Sequence, residues 1–417
     1  MIGDRIRRRF DLVRAGSADD ILPSGDGNTP EMKLLIYSHF FAPSIGGVEN
    51  AVQSLAGGLV ALPAPQGSRE FDVTVVTQTA RGEVDDAAYP FRVLRQPGLI
   101  RLWQAIREAD VIHIAGPALL PMILGLLSGR PVVVEHHGFQ TICPNGQLVF
   151  EPEATPCPGH FMAHRHSKCL RCNAAQGLFA SWKLWLLTFA RRLFCARAAA
   201  NITPTQWLGG LLHLPRVIAI PHGIDAGQAI SHPVLQSHAP VIAFMGRLVT
   251  TKGVPLLFRA AKILHEQNRR FELLIIGDGP ERAALEQFAQ ESQLIVRFAG
   301  RLSAGQVETA LVQATVVVVP SVGGEVFGLV VAENMLRALP VVASDLGAFT
   351  EVLGETGLTF RTGDAADLAT ALARVLDNPP FAASLGQRAR SRALHFCSHD
   401  RMIESHAEVY RKTFKLP

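Results

Sequence analysis

Two glutamates lie eight residues apart in residues 320–333, at positions that suit the binding of a sugar nucleotide. A run of four valines ends at Val319, a loop with two glycines follows, and a helix is then predicted. Glu325 stands in the loop, where its carboxylate can accept hydrogen bonds from sugar hydroxyl groups. Glu333 stands about a turn and a half into the helix and suits the diol of a ribose. An ordinary loop followed by an exposed glutamate is the alternative interpretation.

The predicted start of that helix is a candidate phosphate site. The first backbone N–H groups of a helix have no partner within the helix, and the helix dipole makes this end attractive to anions. We expect the N–H groups of Phe327, Gly328 and Leu329 to be available there, so that a phosphate of the same ligand can bind to them.

A loop with two cations follows another predicted strand. Residues 246–253 come directly after the apolar run 241–245 and contain Arg247 and Lys252. A planar guanidinium and a flexible ammonium in one loop suit a pyrophosphate. Two solvated surface cations are the alternative, which we disfavour because both residues follow the carboxyl end of a strand.

Two further glycine pairs lie between a predicted strand and a predicted helix. Gly277, Asp278 and Gly279 have the form of half a dinucleotide-binding fingerprint, although a tight turn explains them equally well. Gly46 and Gly47 occupy the corresponding place in the first half of the chain, where glycine lets the backbone approach a ligand closely. Both pairs are therefore candidate ligand-binding positions.

Two adjacent histidines end a third strand. His136 and His137 follow the valines at 132–134. A histidine at the carboxyl end of a strand can donate a hydrogen bond to a sugar, whereas a purely structural histidine is the common alternative.

The elements that position these residues alternate along the chain. Short apolar runs of strand length are separated by stretches with helical periodicity. The predicted strands are 34–37, 73–77, 111–114, 132–134, 241–245, 273–276, 294–298, 316–319 and 341–344, and the predicted helices are 48–59, 118–127, 254–266, 281–291, 304–312 and 329–338. This alternation predicts an α/β protein with parallel sheets covered on both faces. In doubly wound sheets, ligands bind at the carboxyl ends of the strands.

The chain is long enough for two domains. It has 417 residues, whereas single cores stop growing at about 250–300 residues. We predict a disordered extension at 1–31, a first domain at 32–222 with an insertion at 140–176, and a second domain at 223–394. The change between the domains is expected within 221–240. The last helix, within 395–417, lies too far along the chain to belong to the series of the second sheet, and we expect it to return to the first domain.

Composition excludes several classes of protein. The net charge of +4 is spread thinly, which argues against nucleic-acid binding. The first 30 residues have no apolar segment of a secretory signal. Residues 111–129 are nearly uncharged, but Gly116 and Pro117 divide them into a strand and a helix with proline at its first position. We therefore expect a cytoplasmic protein, with the inner face of the cytoplasmic membrane as one option.

Together these segments resemble the retaining glycosyltransferases of family 4. Members have the GT-B fold, two Rossmann-like doubly wound domains that face each other across a cleft. The resemblance covers about residue 33 to the C-terminus, and its most specific part is the pair Glu325 and Glu333. It implies that Glu325 holds the hydroxyls of the donor sugar, Glu333 the ribose, and Arg247 with Lys252 the diphosphate.

The resemblance also assigns roles in the first domain. It places Gly47 near the phosphates and His137 at the reacting centre of the sugar. We prefer His137 to His136 because the histidine of the family closes the valine-rich strand just before a small turn. His222 stands where asparagine is common, which leaves the choice of donor open.

The implied activity is transfer of a sugar, with retention, from a UDP- or GDP-sugar to a glycan or lipid-linked acceptor. No cofactor is implied for catalysis. The sequence has no Asp-x-Asp pair to hold a divalent cation, so Arg247, Lys252 and the helix N-terminus supply the electrostatic stabilisation. Two alternatives are a nucleotide-sugar epimerase or hydrolase of the same fold and a non-catalytic protein that binds nucleotide or glycan.

Four of the six cysteines lie close together in the insertion: Cys143, Cys157, Cys169 and Cys172. The Cys-x-x-Cys spacing at 169–172 is typical of metal ligands, and the other two thiols complete a four-thiolate site for Zn²⁺ or a similar ion. The insertion is polar and poor in core residues, so it needs something to order it. Free thiols and disulfides remain alternatives, and the insertion also contains three histidines that could replace a thiol: His160, His164 and His166.

Residues 177–199 combine tryptophan, leucine and phenylalanine with lysine and arginine. A helix with an apolar face and a basic opposite face is typical of proteins that lie on an anionic membrane surface. A core helix with a solvated basic side is an equally good interpretation.

Overall fold

The computed structural model describes residues 31–44, 46–63, 69–224 and 239–415. The predicted extension 1–31, apart from Glu31, lies outside the described residues. So does most of the stretch 221–240 in which the change between domains is expected.

The strands of the described residues belong to two parallel sheets and one short hairpin. In chain order they are β1 (Met32–Ser38), β2 (Phe71–Thr77), β3 (Arg92–Arg95), β4 (Val111–Ala115), β5 (Val132–Glu135), β6 (Val149–Phe150), β7 (Thr155–Pro156), β8 (Ala200–Thr203), β9 (Val217–Ala219), β10 (Val241–Met245), β11 (Glu272–Ile276), β12 (Val296–Gly300), β13 (Val316–Val319), β14 (Val341–Ser344) and β15 (Leu358–Phe360). The first sheet has the order β3-β2-β1-β4-β5-β8-β9 and the second β12-β11-β10-β13-β14-β15, while β6 and β7 form the hairpin.

Helices separate most of these strands. They are α1 (Gly47–Ala61), α2 (Leu99–Glu108), α3 (Leu119–Leu127), α4 (His166–Cys172), α5 (Leu178–Cys195), α6 (Gln206–Leu212), α7 (Val254–Glu266), α8 (Arg282–Glu291), α9 (Ala304–Leu311), α10 (Leu329–Leu336), α11 (Gly347–Leu353), α12 (Ala365–Leu376), α13 (Pro379–Phe396) and α14 (His399–Phe414). Helices between parallel strands cover the faces of the sheets, as the alternating pattern predicts.

The chain forms two compact units. The first contains Met1–Glu135, Arg197–Ala200 and Ile403–Pro417, and the second contains His136–Ala196 and Asn201–Met402. Most of α14 therefore belongs to the first unit, although it is the last helix of the chain.

A buried polar network fixes α14 in the first unit. The hydroxyl of Tyr410 lies 2.9 Å from Nδ1 of His113 on β4, and the opposite ring nitrogen of His113 lies 3.2 Å from a carboxylate oxygen of Glu135. All three side chains are almost completely buried. At the edge of the helix, Arg411 donates two hydrogen bonds to Glu70, at 2.6 and 2.7 Å.

The second sheet is buried on both faces. The four valines of β13 alternate between two hydrophobic clusters, with Val316 and Val318 in one and Val317 and Val319 in the other. This arrangement explains why the strand reads as a continuous apolar run rather than an alternating one.

Two local expectations are wrong. Pro117 does not occupy the first position of α3, because the helix begins at Leu119 with Ala118 as its N-cap. The insertion 140–176 is not poor in core residues, because Ile142, Val149 and Phe161 are buried in it. The apolar residues of the insertion follow neither the helical nor the strand periodicity, so the sequence pattern does not identify them as core residues.

Among the helices described, none combines the length and apolar character that a membrane-spanning helix needs. The run 111–129 is divided between β4 and α3, as expected from Gly116 and Pro117.

Removing the Tyr410 hydroxyl should weaken the first unit. We expect Tyr410→Phe to lower the free energy of unfolding by about 1–3 kcal/mol, because His113 loses a buried hydrogen-bond partner. Urea unfolding measures this value. Lys412→Ala is the control, since Lys412 and its partner Glu408 are both exposed on the same helix and exposed ion pairs contribute little. Equal losses in the two variants would contradict the role of the network.

Candidate active site

Three loops follow adjacent strands of the second sheet. Residues 246–253 follow β10, residues 277–279 follow β11, and residues 320–328, called the glutamate loop below, follow β13. The strands lie in the order β11-β10-β13 and pair in parallel. From β10 the chain adds β11 and β12 on one side and then β13 to β15 on the other, so the strand order reverses between β10 and β13. Doubly wound sheets bind their ligands at such a point.

An ion pair joins the loops on either side of that point. The ammonium of Lys252 contacts Oε1 of Glu325, and the two side chains are only 25% and 14% exposed. The hydroxyl of Ser321 donates to the same carboxylate oxygen at 3.3 Å. Two of the predicted site residues, 73 positions apart in the chain, are therefore in direct contact.

Backbone groups of the glutamate loop are held from three further directions. The N–H of Val322 donates to the carbonyl of Thr251 at 2.9 Å, and the N–H of Gly324 donates to the carbonyl of Gln147 at 2.7 Å. The carbonyl of Val326 accepts from the hydroxyl of Thr205 at 3.0 Å. The loop is thus fixed by neighbours from distant parts of the chain.

Two glycines allow these loops to approach one another. Gly253 has φ +65°, and a Cβ there would lie 2.0 Å from the carbonyl oxygen of Pro320. Gly277 has φ +132°, and its Cβ would lie 1.8 Å from the carbonyl oxygen of Gly246. The close packing of these two loop backbones therefore explains why glycine stands at position 277, in agreement with the tight-turn interpretation. Asp278 accepts from the N–H of Gly279 at 2.9 Å, which stabilises this turn.

Arg247 and Glu333 differ in their surroundings. Arg247 is exposed on the loop after β10. Glu333 lies on α10, and burial raises the pKa of its carboxyl, an effect that Arg337 opposes and Glu308 adds to. Arg337 is itself held by Glu308 at 2.6 Å. A group that donates hydrogen bonds to Glu333 would stabilise its charged form.

The helix N-terminus is positioned as the sequence predicts. Gly328 is the N-cap of α10 with φ +92°, and a Cβ there would lie 2.6 Å from the ring of Phe349. Phe327 is buried beside it and Leu329 begins the helix. Only glycine fits this conformation without displacing the ring of Phe349.

The two histidines after β5 differ in their contacts. His136 is completely buried, with Nε2 at 3.0 Å from the side-chain oxygen of Asn201. His137 is half-buried and stacks on His222, with ring centroids 5.4 Å apart. His222 in turn contacts the ring of Phe327 at 5.1 Å. His137 is therefore connected through one ring to the glutamate loop, whereas the contacts of His136 are those of a structural residue.

The remaining predicted residues lie elsewhere. Gly46 is the N-cap of α1 in the first unit and Gly47 its first residue, so α1 has the glycine start that the sequence indicates. Four cysteines line one cavity in the second unit: Cys143, Cys157, Cys169 and Cys172.

Comparison with known proteins identifies the family. The model described as glycosyl transferases group 1 matches residues 229–392, and the model described as Glycosyltransferase Family 4 matches residues 45–228. The phosphatidyl-myo-inositol mannosyltransferase of Mycobacterium leprae (strain TN) is 36% identical over 288 residues, which cover 67% of this chain and 67% of that enzyme. The chain belongs to glycosyltransferase family 4.

Other relatives are transferases as well. The 2-deoxystreptamine glucosyltransferase of Streptomyces kanamyceticus is 32% identical over 215 residues, 46% of this chain and 55% of that enzyme. Among solved structures, sucrose-phosphate synthase from Thermosynechococcus elongatus has a TM-score of 0.68 at 21% identity, covering 92% of this chain and 99% of its own. Anabaena Alr3699/HepE in complex with UDP and glucose has a TM-score of 0.65 at 19% identity, covering 92% and 100%.

These comparisons confirm the GT-B fold and the activity class. The family 4 enzyme is a nucleotide-sugar-dependent glycosyltransferase, as the sequence predicts.

Several contacts of this glycosyltransferase were not predicted from its sequence. Ser321 donates to Glu325 within the glutamate loop, and Gln147 and Thr205 bind the loop from outside it. The glycine pair at 323–324 is the one available signal, because a Cβ on Gly323 would lie 2.2 Å from Val149. Adjacent glycines in a loop indicate close approach of another backbone, but they do not identify it.

Gly253→Ala should disturb the transferase more than a glycine change made elsewhere. The variant combines a positive φ with a clash against Pro320, so we expect a loss of more than about 2 kcal/mol in the free energy of unfolding. Gly363→Ala is the matched control: Gly363 has φ +87° but nothing within 4 Å of its Cβ, so it costs about 1–2 kcal/mol. Equal losses on urea unfolding would show that the loop can move away.

Proposed function

We propose that this glycosyltransferase moves a sugar, with retention and without a divalent cation, from a UDP- or GDP-sugar to a lipid-linked acceptor of glycolipid or polysaccharide assembly. The observation that carries the proposal is the Lys252–Glu325 pair between β10 and β13. It puts a cation and a hydrogen-bond acceptor at the ligand-binding edge of a doubly wound sheet.

The electrostatic argument concerns the leaving diphosphate. Negative charge develops on the departing phosphate oxygens, and preorganised donors stabilise it most effectively. Lys252 uses one of its three N–H donors on Glu325, so the others can bind a phosphate. The exposed guanidinium of Arg247 and the N-terminus of α10 add positive potential. These groups take the place of a metal ion in the proposal.

Glu325 is suited to hold the donor sugar. Its Oε1 accepts from Lys252 and Ser321, while Oε2 accepts no hydrogen bond from the described residues and can accept from sugar hydroxyls. The loop contacts from Thr251 and Gln147 keep the carboxylate in place. Fixed hydroxyl contacts orient the anomeric carbon for reaction.

The proposed step needs no nucleophile from the enzyme. The bond between the anomeric carbon and the phosphate oxygen breaks, and a bond to the acceptor oxygen forms on the same face. The proton of the acceptor hydroxyl moves to the departing phosphate oxygen. Glu333, which is partly exposed on α10, binds the ribose in this scheme, and His137 contacts the sugar.

A lipid-linked acceptor is proposed from the surface of α5. Six apolar side chains of this helix are exposed: Leu178, Phe179, Trp182, Leu186, Phe189 and Leu193. Their spacing places them on one face of the helix. A contiguous exposed apolar face of this kind indicates a binding surface.

Cations near this face favour an anionic membrane. Lys183 on α5 is exposed, and so are Arg165, Lys168 and Arg171 just before it. By contrast, Arg192 donates to the carbonyl of Leu212 at 2.9 Å and so turns inward. Arg192 thus does not contribute to a solvated basic face, whereas Lys183 and Arg197 are exposed. A peripheral position at the inner face of the cytoplasmic membrane follows, because that leaflet is anionic.

The chemistry is tested with purified enzyme and a panel of UDP- and GDP-sugars. We expect Lys252→Ala to lower turnover by about 10²-fold, the scale of losing one stabiliser of developing charge. Glu325→Ala should be severely impaired, and Glu333→Ala should mainly raise the Kd for the nucleotide. Lys262→Ala is the control, because this lysine is half exposed on α7.

Product configuration decides the mechanism. NMR should show retention, and turnover should be unchanged when Mg²⁺ and Mn²⁺ are omitted from the buffer. An inverted product, or full activity in Glu325→Ala, would contradict the assigned roles.

Membrane binding is tested by flotation with vesicles that contain anionic phospholipid. Wild-type protein should float, and binding should fall as salt is added, because salt screens the lysine and arginine contribution. Phe179→Glu should bind several-fold more weakly, since Phe179 is 86% exposed. Ile295→Glu, at an equally apolar position 69% exposed outside α5, should bind like the wild type. Equal flotation of the two variants would exclude α5 as the membrane surface.

A further inference from the structure

Four cysteine side chains converge in residues 140–176, called the cysteine segment below. Cys143, Cys157, Cys169 and Cys172 line the same cavity, together with His160. The cavity volume is about 10 Å³, which is about the space for a single water-sized particle. All four cysteines are free thiols.

Backbone and side-chain N–H groups point at two of these sulfur atoms. Hydrogen bonds from the backbone N–H groups of Leu148, Asn145 and Gly146 act to lower the pKa of Cys143, while its own thiol donates to Oδ1 of Asn145 at 2.9 Å. The sulfur of Cys172 accepts from the N–H of Glu151 and from the side chain of Asn145, each at 3.4 Å. Donors of this kind stabilise a thiolate more than a neutral thiol.

Burial works in the opposite direction. It raises the pKa of Cys143 to about 11 and that of Cys169 to about 12, and in Cys169 the neighbouring thiols add to the rise. Four sulfur atoms around one small cavity offer a set of ligands for a single cation. Four thiolates around one ion are the ligand set of a structural zinc site.

We propose that Cys143, Cys157, Cys169 and Cys172 bind one Zn²⁺, and that this centre positions the glutamate loop. No three of the four sulfurs lie within 4.8 Å of one another, whereas Zn–S bonds of about 2.3 Å place tetrahedral sulfurs about 3.8 Å apart. Binding of the ion thus draws together the turn that holds Cys143 and helix α4, which holds Cys169 and Cys172.

The turn after Cys143 reaches the glutamate loop directly. The N–H of Gly146 donates to the carbonyl of Cys143 at 3.0 Å, and the next residue, Gln147, accepts the N–H of Gly324 at 2.7 Å. Glu325 is the following residue. Movement of the cysteine turn therefore moves the carbonyl that holds this loop. This second part of the inference rests on the proposed function of Glu325, whereas the metal site does not.

A small apolar cluster also links the cysteine segment to the glutamate loop. Cys143 is buried with Ile142 and Leu208, and Val326 of the glutamate loop packs against this cluster. Gly323 also lies against Val149 of β6, so closely that a Cβ would lie 2.2 Å from its side chain. The cysteine segment and the loop cannot shift independently without opening these contacts.

The metal site is tested with Zn²⁺ and Co²⁺ alone. Full-length protein purified anaerobically should contain one equivalent of zinc by elemental analysis, and exchange for Co²⁺ should give the visible absorption of tetrahedral cobalt thiolate. Cys172→Ala and Cys157→Ala should lose at least tenfold in zinc affinity. Cys195→Ala is the control, because Cys195 is a buried cysteine that does not line the cavity.

Three outcomes would overturn the metal site: no stoichiometric metal together with no cobalt spectrum, a thiol count showing disulfides among the four cysteines, or equal zinc content in Cys172→Ala and Cys195→Ala. If His160→Ala, rather than one cysteine variant, lost the metal, the assigned ligand set would be wrong.

The coupling is tested by hydrogen exchange, which does not depend on activity. Removal of zinc should speed exchange in a peptide covering residues 320–328 by about tenfold or more, while the α12 peptide at Ala365–Leu376 stays unchanged. Equal exchange with and without zinc would refute the coupling. A protein that binds zinc and shows the coupling but transfers no sugar would refute the proposed function alone.

Discussion

The ion pair between Lys252 and Glu325 is the interaction on which the rest of the site depends. Both charges are largely removed from water, and such charges are stable only when their geometry is fixed and further hydrogen bonds satisfy them. Ser321 supplies one such bond to the carboxylate. Gly253 lets the loop after β10 lie against Pro320, so that the ammonium can reach it. The pair therefore requires two loops to be held at short distance by their backbones.

The residues that bind the glutamate loop come from widely separated parts of the chain. Thr251, Gln147 and Thr205 each bind one backbone group of this loop. Backbone hydrogen bonds at three points leave the loop little freedom before a ligand binds. A site preorganised in this way loses less conformational entropy when it stabilises developing charge. Rigidity of the loop is thus a property of its neighbours rather than of its own sequence.

The sequence predicts the elements better than their contacts. The limits of β10, β13, β14 and α7 are predicted to the residue, because a valine-rich run or a helical period is a local pattern. The sequence assigns Lys252 and Glu325 to one site because each follows the carboxyl end of a strand. It does not predict the ion pair between them. The bond from Thr205 to Val326 spans 121 positions and leaves no local signal. The mostly inward orientation of the arginines on α5 depends on packing in the same way.

The segment between β5 and β8 supports two features on which the proposed function depends. At one end it supplies Gln147 to the glutamate loop. Farther along, α5 exposes its apolar face while Ser181 and Arg192 anchor the opposite side by hydrogen bonds to Asn173 and Leu212. Apolar side chains left in water are unfavourable by about 25 cal/mol per Å², so a partner that covered this face would stabilise the protein. In the proposed function, the order within this segment therefore positions both the glutamate loop and the exposed apolar face of α5.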